Sequence, residues 1–486
     1  MLDLVSPLDL FSIVLAAALL LHLYTRRTHS QPLPPSPQSY PLVGHLFSIP
    51  TNNEHLGFIE LGNQLKTSIL SLSFLGQTTI VLNSVEDASS LLKNRSAIYS
   101  DRPYPPMLAD PSLMDSGKII DFLGYNDRLK KSRRLIHPWL TKKACETFHE
   151  SKMRDARLLL QRLMQLNHTS SEVIYSEVFT ALSGTLLHSI YGYHISGRDD
   201  PLLGQAIQFT YNLCEAAMPG NFLVNILPIL RYVPSWFPGA GWKRVAREWR
   251  EQKNKTIQDF FNKTKEQMLS GNYEPSIITS SFAEAKALGL SPEEIDDYLR
   301  YIGMTLFLGG TDTTANAILV FFLAMVHFPE AQQKAQAEID DIIGDSRLPE
   351  IEDIDRLPYT NCLIQEVLRW GPIVPIGVSH AVSKDDFYKG FLIPKGATVI
   401  GNVWAMSRDK RFYKNPEEFN PDRFLDSSVP PCPTFGFGRR ECPGIHYAES
   451  SLFSIISSVL AAFTIKQPGN GKLGVPRLVS TSSLVL

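Results

Sequence analysis

The chain has little cysteine, little net charge and no low-complexity segment, and each shortage excludes something. Five cysteines in 486 residues (Cys145, Cys214, Cys362, Cys432 and Cys442) are too few, and odd in number, for a disulfide framework. Reduced thiols are the expectation. Lysine plus arginine number 47 against 49 acids, a net charge of −2. A nucleic-acid binder needs a basic surplus to meet phosphates, so no nucleic acid is expected as a partner. No nucleotide- or flavin-binding fingerprint of glycines is present, so any redox role would draw its electrons from another protein. With 44% hydrophobic and 20% charged residues, both intrinsic disorder and a many-span membrane protein are excluded. Residues 42–486 contain no repeat, Gly/Ser linker or charge block and read as one large domain.

Near the start, residues 10–24, LFSIVLAAALLLHLY, form a charge-free hydrophobic run. Leu8 extends it past Asp9 towards the about 20 residues a bilayer wants. The segment ahead carries Asp3 and Asp9 rather than a basic region, and Arg26 and Arg27 follow at once. These flanks favour an anchor over a cleaved signal peptide and leave the remainder in the cytosol. Residues 1–30 are expected to be a single-pass transmembrane anchor, spanning at about 8–24. Five prolines between Pro32 and Pro41 make residues 31–41 a stiff spacer or an ordinary linker. Sequons at Asn94, Asn167, Asn254 and Asn262 would stay unused on a cytosolic body.

Residues 69–82 alternate and are β-branched around Gly76, as in a hairpin. Thereafter helical patterns dominate. Ser291-Pro-Glu-Glu294 combines an N-cap, a proline at the first helical position and a capping box. Nothing breaks that pattern before Pro329, which predicts a helix of about 35 residues, about 50 Å long. Its second half is apolar on nearly every face, as in a buried core helix. Further helices are expected from Pro329 towards Gly344 and from about Thr360 to Trp370, with strands and turns over 374–382 and 390–403. The fold class is mainly α with a minor β-sheet region (α+β).

The most informative stretch is FGFGRRECPG, residues 435–444. Three glycines, then Cys-Pro-Gly opening a helix, place Cys442 at a helix N-terminus, where dipole and free N–H groups favour thiolate. Arg439 and Arg440 add positive charge. Three readings compete for Cys442: a structural zinc site, a nucleophile, and an axial thiolate to haem iron. Cys432 and His446 match zinc spacing poorly, and no base is implied nearby.

The run matches F-x-x-G-x-R-x-C-x-G at Phe435, Gly438, Arg440, Cys442 and Gly444. It resembles the signature of the cytochrome P450 family of haem-thiolate monooxygenases. Further segments resemble the same family in the expected order. Glu366-Val-Leu-Arg369 resembles its ExxR motif and Pro421-Asp-Arg-Phe424 its PERF-type segment; in the family Glu366, Arg369 and Arg423 would lock as a buried structural triad. Gly309-Gly-Thr-Asp-Thr-Thr314 resembles the oxygen-activating stretch of the long helix. There the resemblance implies that Gly310 makes room for dioxygen and that Asp312 and Thr313 relay protons. Packing through small residues is the alternative at the glycines. NDRLKKSRRLIHP, residues 126–138, resembles the family's C-helix, with Arg133 at the propionate-binding position and Leu129 replacing the usual tryptophan. His380 falls where a histidine-arginine pair often reaches the haem, although Ala381 replaces the arginine. RSAIYSDRP (95–103) and WAMSRD (404–409) look most like fungal microsomal members, particularly those of mushroom-type fungi.

The resemblance implies a cytochrome P450 fold, haem b with Cys442 as the iron's axial ligand, Phe435 beside the sulfur, and propionate pairing by Arg440, Arg133 and His380. It implies a monooxygenase of the endoplasmic reticulum membrane, held in membrane lipid, with its catalytic domain cytosolic. Electrons would come from NADPH through NADPH-cytochrome P450 reductase. Lys130, Lys131, Arg134 and Arg439 are either the reductase-facing patch or an ordinary solvated run. A lipophilic small-molecule substrate, terpenoid-like and of secondary metabolism, is expected against apolar walls at 103–120, 204–242, 302–310, 372–378 and 479–486. Two departures keep alternatives open: only ten residues separate Phe424 and Phe435, and the chain stops at Leu486, where relatives continue through a terminal hairpin. The alternatives are an O2-independent haem-thiolate isomerase or dehydratase, and a non-catalytic haem-binding remnant.

Overall fold

The computed structural model describes residues 32–41, 43–166, 170–218 and 220–467. The expected anchor, Asn167 and the wall at 479–486 lie outside the described residues. The described chain packs as two units. One holds the residues up to Pro103 with Pro375–Met406 and Phe437–Arg440; the other holds Tyr104–Val374, Ser407–Gly436 and the residues from Glu441 on.

The first unit carries the sheets: β1 (Ile69–Phe74), β2 (Gln77–Leu82), β3 (His380–Ala381), β4 (Asp386–Tyr388), β5 (Phe391–Ile393) and β6 (Thr398–Gly401). The expected hairpin is present, with Ile69 opposite Leu82 and Phe74 opposite Gln77. Its two-residue turn, Leu75-Gly76, has φ +46° and +84°, which matches the right-handed twist of the strands. β2 then pairs in parallel with β6, and β6 antiparallel with β3, giving the order β1-β2-β6-β3. Ile69, Ile80, Leu82, Val399, Met406 and Phe437 pack together within this unit. Part of the stretch expected as a spacer is held to the strands. Ser71 donates its N–H to the Pro35 carbonyl at 2.9 Å and its hydroxyl to Pro34 at 2.6 Å, and the Leu392 N–H reaches Pro32 at 2.9 Å. Proline has no N–H to give, but its carbonyl can still occupy a sheet edge.

The second unit is helical and is built around the helix Pro292–His327, 36 residues and therefore about 54 Å long. Ser291 and Glu294 form the expected reciprocal capping box. Among the described residues this is the one helix long and apolar enough to cross a membrane by length and composition. Here it is a core element: Ile302, Phe307, Ile318 and Phe321 are fully buried, and the helices Ser171–Tyr191, Ile277–Ala287, Pro358–Trp370 and Ile445–Ala462 pack on it. Two glycines seven residues apart set the closest approach. A Cβ on Gly303 would lie 2.2 Å from the Tyr191 hydroxyl, and one on Gly310 would lie 3.0 Å from a Leu186 methyl. The expected helices after Pro329 are Pro329–Ile342 and Pro358–Trp370. At their junction Phe328, Trp370 and Phe419 meet ring to ring, with centroids 5.6 to 5.8 Å apart.

One buried cation in this core has a measurable consequence. Lys152, on the helix His149–Met164, donates to the Tyr447 carbonyl at 3.0 Å and the Ser450 hydroxyl at 2.5 Å, with its ammonium 3.6 Å above the Tyr447 ring. Desolvation nevertheless dominates and pushes its pKa down from 10.5 to about 7. Between those two values the unfolded chain holds the proton and the folded chain does not, so stability rises with pH across that window and is flat below it. Lys152→Met should flatten the rise in unfolding free energy between pH 7 and pH 10, measured by denaturant titration. An unchanged slope would place the pH dependence elsewhere.

Candidate active site

The ExxR and PERF-type segments meet in one buried polar cluster. On the helix Pro358–Trp370, Glu366 and Arg369 are fully buried and joined by two bonds of 2.7 Å. Arg423 adds two more at 3.1 and 3.2 Å, and the Asn420 N–H a further one at 2.7 Å. One carboxylate between two guanidinium groups leaves an excess positive charge. Backbone carbonyls take up the remaining donors: Ser407 and Pro416 from Arg369, Lys414 from Arg423, and Glu418 from both. The irregular segment after Ser407 is thereby pinned to a helix.

That segment leads to Cys442. The Cys442 N–H donates to the Phe435 carbonyl at 2.8 Å, closing the loop at its neck. The Gly444 N–H faces the sulfur, and the helix Ile445–Ala462 follows. The thiol surface is open to solvent while protein surrounds it closely, so desolvation raises its pKa; the Gly444 N–H and Arg133 oppose this without reversing it. The Gly444 N–H thus acts in the expected direction, towards thiolate, and burial acts against it. Metal ligation deprotonates a thiol outright, so a bound ion rather than the loop sets the charge. Cys432 differs: burial pushes its thiol up to about 12, and no backbone N–H lowers it.

Residues 437–440 of the motif belong to the sheet-bearing unit. Gly438 has φ +58°, and a Cβ there would sit 2.5 Å from the Leu92 carbonyl oxygen, so only glycine fits. Buried Arg440 donates from Nε to the Ser100 carbonyl at 2.7 Å. His380 is buried in the same unit, with Nδ1 2.7 Å from the Tyr99 carbonyl, which can only accept. Desolvation, then the charges of Arg102 and Arg440, push its pKa down to about 3. The ring is therefore neutral and offers Nε2 as an acceptor, so pairing with a carboxylate would require the ring to gain a proton.

In the helical unit Arg133 lies on the helix Asp127–Leu140, one turn after the buried Leu129. Its Nη2 donates to the Glu441 carbonyl at 2.9 Å, next to Cys442, while its Nε is buried with no hydrogen-bond partner. Burial lowers its pKa. A half-buried guanidinium with an unused Nε donor beside the cysteine is a seat for an anion. Lys130 and Arg134 lie exposed on this helix, and Lys130 pairs with Asp127 at 3.0 Å.

On the long helix Thr313 donates to the Gly309 carbonyl one turn back at 2.6 Å, and Thr314 does the same to Gly310 at 2.7 Å. With its proton so committed, the Thr313 oxygen presents lone pairs outward. Gly309 has nothing within 4 Å of where a Cβ would stand. The open side thus belongs to Gly309, and Gly310, expected to make room for dioxygen, serves helix packing against Leu186. Asp312 is half-buried and accepts a 2.6 Å bond from the Tyr175 hydroxyl. No motif signals Tyr175, because its helix is apolar on most faces and one tyrosine does not stand out in it.

The cytochrome P450 family model matches residues 34–483. The chain belongs to the cytochrome P450 family. It is 37% identical to cytochrome P450 monooxygenase 208 of Postia placenta, over 98% of this chain and 93% of that protein. It is 34% identical to tryptamine 4-monooxygenase of Psilocybe cyanescens, over 97% and 94% of the two chains. This P450 is accordingly an oxidoreductase of a haem-thiolate family that uses haem b and, in general, redox partners and lipophilic substrates. The residues fit that group: Cys442 is a solvent-open thiol facing a backbone N–H, and Arg133 offers a buried unused donor for a carboxylate. Arg133→Gln should speed haem loss to a competing haem acceptor about 10- to 100-fold, the worth of one hydrogen bond to a charged group. The exposed neighbour Arg134→Gln should not, and equal rates in the two variants would remove Arg133 from haem binding.

Proposed function

We propose that this P450 inserts one atom of O2 into a C–H bond of a lipophilic substrate, with electrons from NADPH through a separate P450 reductase. Cys442 would hold the haem iron through its sulfur, with Phe435 and Gly438 shaping its loop, and Arg133 and Arg440 would pair the propionates. His380 would join them through Nε2 only with a proton on that nitrogen, since its Nδ1 is committed to the Tyr99 carbonyl. Haem, when bound, supplies the oxygen chemistry and the one-electron steps. The chain's own part is to deliver protons while excluding bulk water.

The observation that carries this reading is the turn Gly309–Thr313 beside Asp312. Thr313 gives its proton to the Gly309 carbonyl and keeps an acceptor facing open space. Asp312 passes protons, and Tyr175 holds its carboxylate in one orientation. An isomerase or dehydratase that activates no oxygen has no use for such an arrangement. Residues 1–30 anchor the protein in the endoplasmic reticulum membrane with the catalytic domain in the cytosol, and Lys130, Lys131, Arg134 and Arg439 face the reductase. Apolar residues including Met107, Leu108, Met114, Ile302 and Phe307 support a lipophilic substrate. A terpenoid-like secondary metabolite is the proposed class, and the relative named for tryptamine adds aromatic amines to the compounds to test.

Thr313→Ala should keep haem and substrate binding while product per NADPH falls and hydrogen peroxide rises, with the productive rate down about 10²–10⁴-fold. Tyr175→Phe should lose about fivefold in the same ratio, the worth of one hydrogen bond of about 1 kcal/mol. Unchanged coupling in Thr313→Ala would contradict the assignment and favour the O2-independent alternative.

A further inference from the structure

The helix Ser171–Tyr191 ends in a way that brings two histidines to one carboxylate. Gly192 closes it in the left-handed conformation, φ +67°, with its N–H on the His188 carbonyl at 2.8 Å. The chain then doubles back, and the His188 and His194 rings lie 4.5 Å apart at an interplanar angle of 34°. Glu274 meets both from the loop that precedes the helix Ile277–Ala287. His188 Nε2 is 2.7 Å from one of its oxygens and His194 Nε2 is 3.0 Å from the other. The approach is built into the backbone, since a Cβ on Gly192 would stand 3.2 Å from the Glu274 carbonyl oxygen. Three ligand atoms from two distant stretches of chain thus lie within 4.8 Å of one another.

We propose that His188, His194 and Glu274 bind one zinc-class divalent cation, which clamps the end of the helix Ser171–Tyr191 to the loop carrying Glu274. Two imidazole nitrogens and a carboxylate oxygen are the donor set that zinc takes, with water completing a tetrahedron. Such bonds of about 2.0–2.1 Å set donors about 3.3 Å apart. The two observed contacts, 2.7 and 3.0 Å to different oxygens of Glu274, are shorter than that, so the side chains would open slightly to admit one ion between them. Each imidazole would ligate through Nε2, with its one ring proton on Nδ1. His194 and Glu274 are about half exposed, so the fourth position faces water and an ion has a path in. Magnesium, which prefers an octahedral oxygen shell, does not match this set.

The test is a zinc titration of the full-length holoprotein against a chromophoric chelator, with thermal unfolding followed in parallel. Wild type should bind one equivalent more than Glu274→Gln or His194→Ala, and zinc should raise the unfolding temperature of wild type alone. Magnesium should do neither. Retained haem absorbance in the variants keeps loss of the site distinct from loss of the fold. Equal zinc stoichiometry and equal unfolding shifts in all three proteins would overturn the proposal, as would an equivalent response to magnesium.

Discussion

The buried carboxylate of Glu366 is the contact on which the cysteine-bearing segment depends. The stretch from Ser407 to Cys442 contains two short 3-10 turns, Pro421–Leu425 and Gly438–Arg440, and is otherwise irregular. Repeating backbone bonds therefore cannot hold it. Glu366 holds it instead through Arg369, Arg423 and the Asn420 N–H, and the two guanidinium groups spread the connection to four carbonyls between Ser407 and Glu418. Trp370 adds its indole N–H to the Glu417 carbonyl at 3.0 Å, and the Tyr413 hydroxyl reaches Pro430 at 3.1 Å. Removing one partner from such a pair typically costs about 3–5 kcal/mol, because a charge is left buried without its counterion. The segment that leads towards the sulfur is thus held, as far as Arg423, by an electrostatic cluster rather than by repeating backbone bonds.

Over residues 305–316 the long helix follows a different principle, since the polar side chains there satisfy themselves locally. Thr305, Thr311, Thr313 and Thr314 each donate to a carbonyl one turn back, and Asn316 does so to Asp312. An apolar core helix can carry this polar stretch because no hydroxyl there searches for a distant partner. Asp312 is the exception. Its carboxylate cannot be satisfied by the helix's own backbone, and Tyr175 from a neighbouring helix supplies the bond.

Features set by local rules were legible in the sequence. The hairpin about Gly76, the capping box at Ser291 and the helix stops near Pro329 and Gly371 all depend on residues a few positions apart, and all are present. The Glu366–Arg369–Arg423 cluster was legible through family resemblance, since nothing in i,i+3 spacing distinguishes a buried pair from a surface one. What depended on partners remote in sequence was not legible. Leu186 fills the space beside Gly310, Tyr175 approaches Asp312 across a helix pair, and Tyr99 fixes the tautomer of His380. The burial around the Cys442 thiol was not legible either, because a helix N-terminus is visible in sequence while desolvation is not.

The central claim is that Cys442, and no other thiol, provides the axial ligand. The most direct measurement is the absorption spectrum of the reduced, carbon-monoxide-bound protein in wild type, Cys442→Ser and Cys432→Ser. The account predicts the thiolate-type Soret band in wild type and Cys432→Ser and its loss in Cys442→Ser. Loss of the band in Cys432→Ser with retention in Cys442→Ser would contradict it.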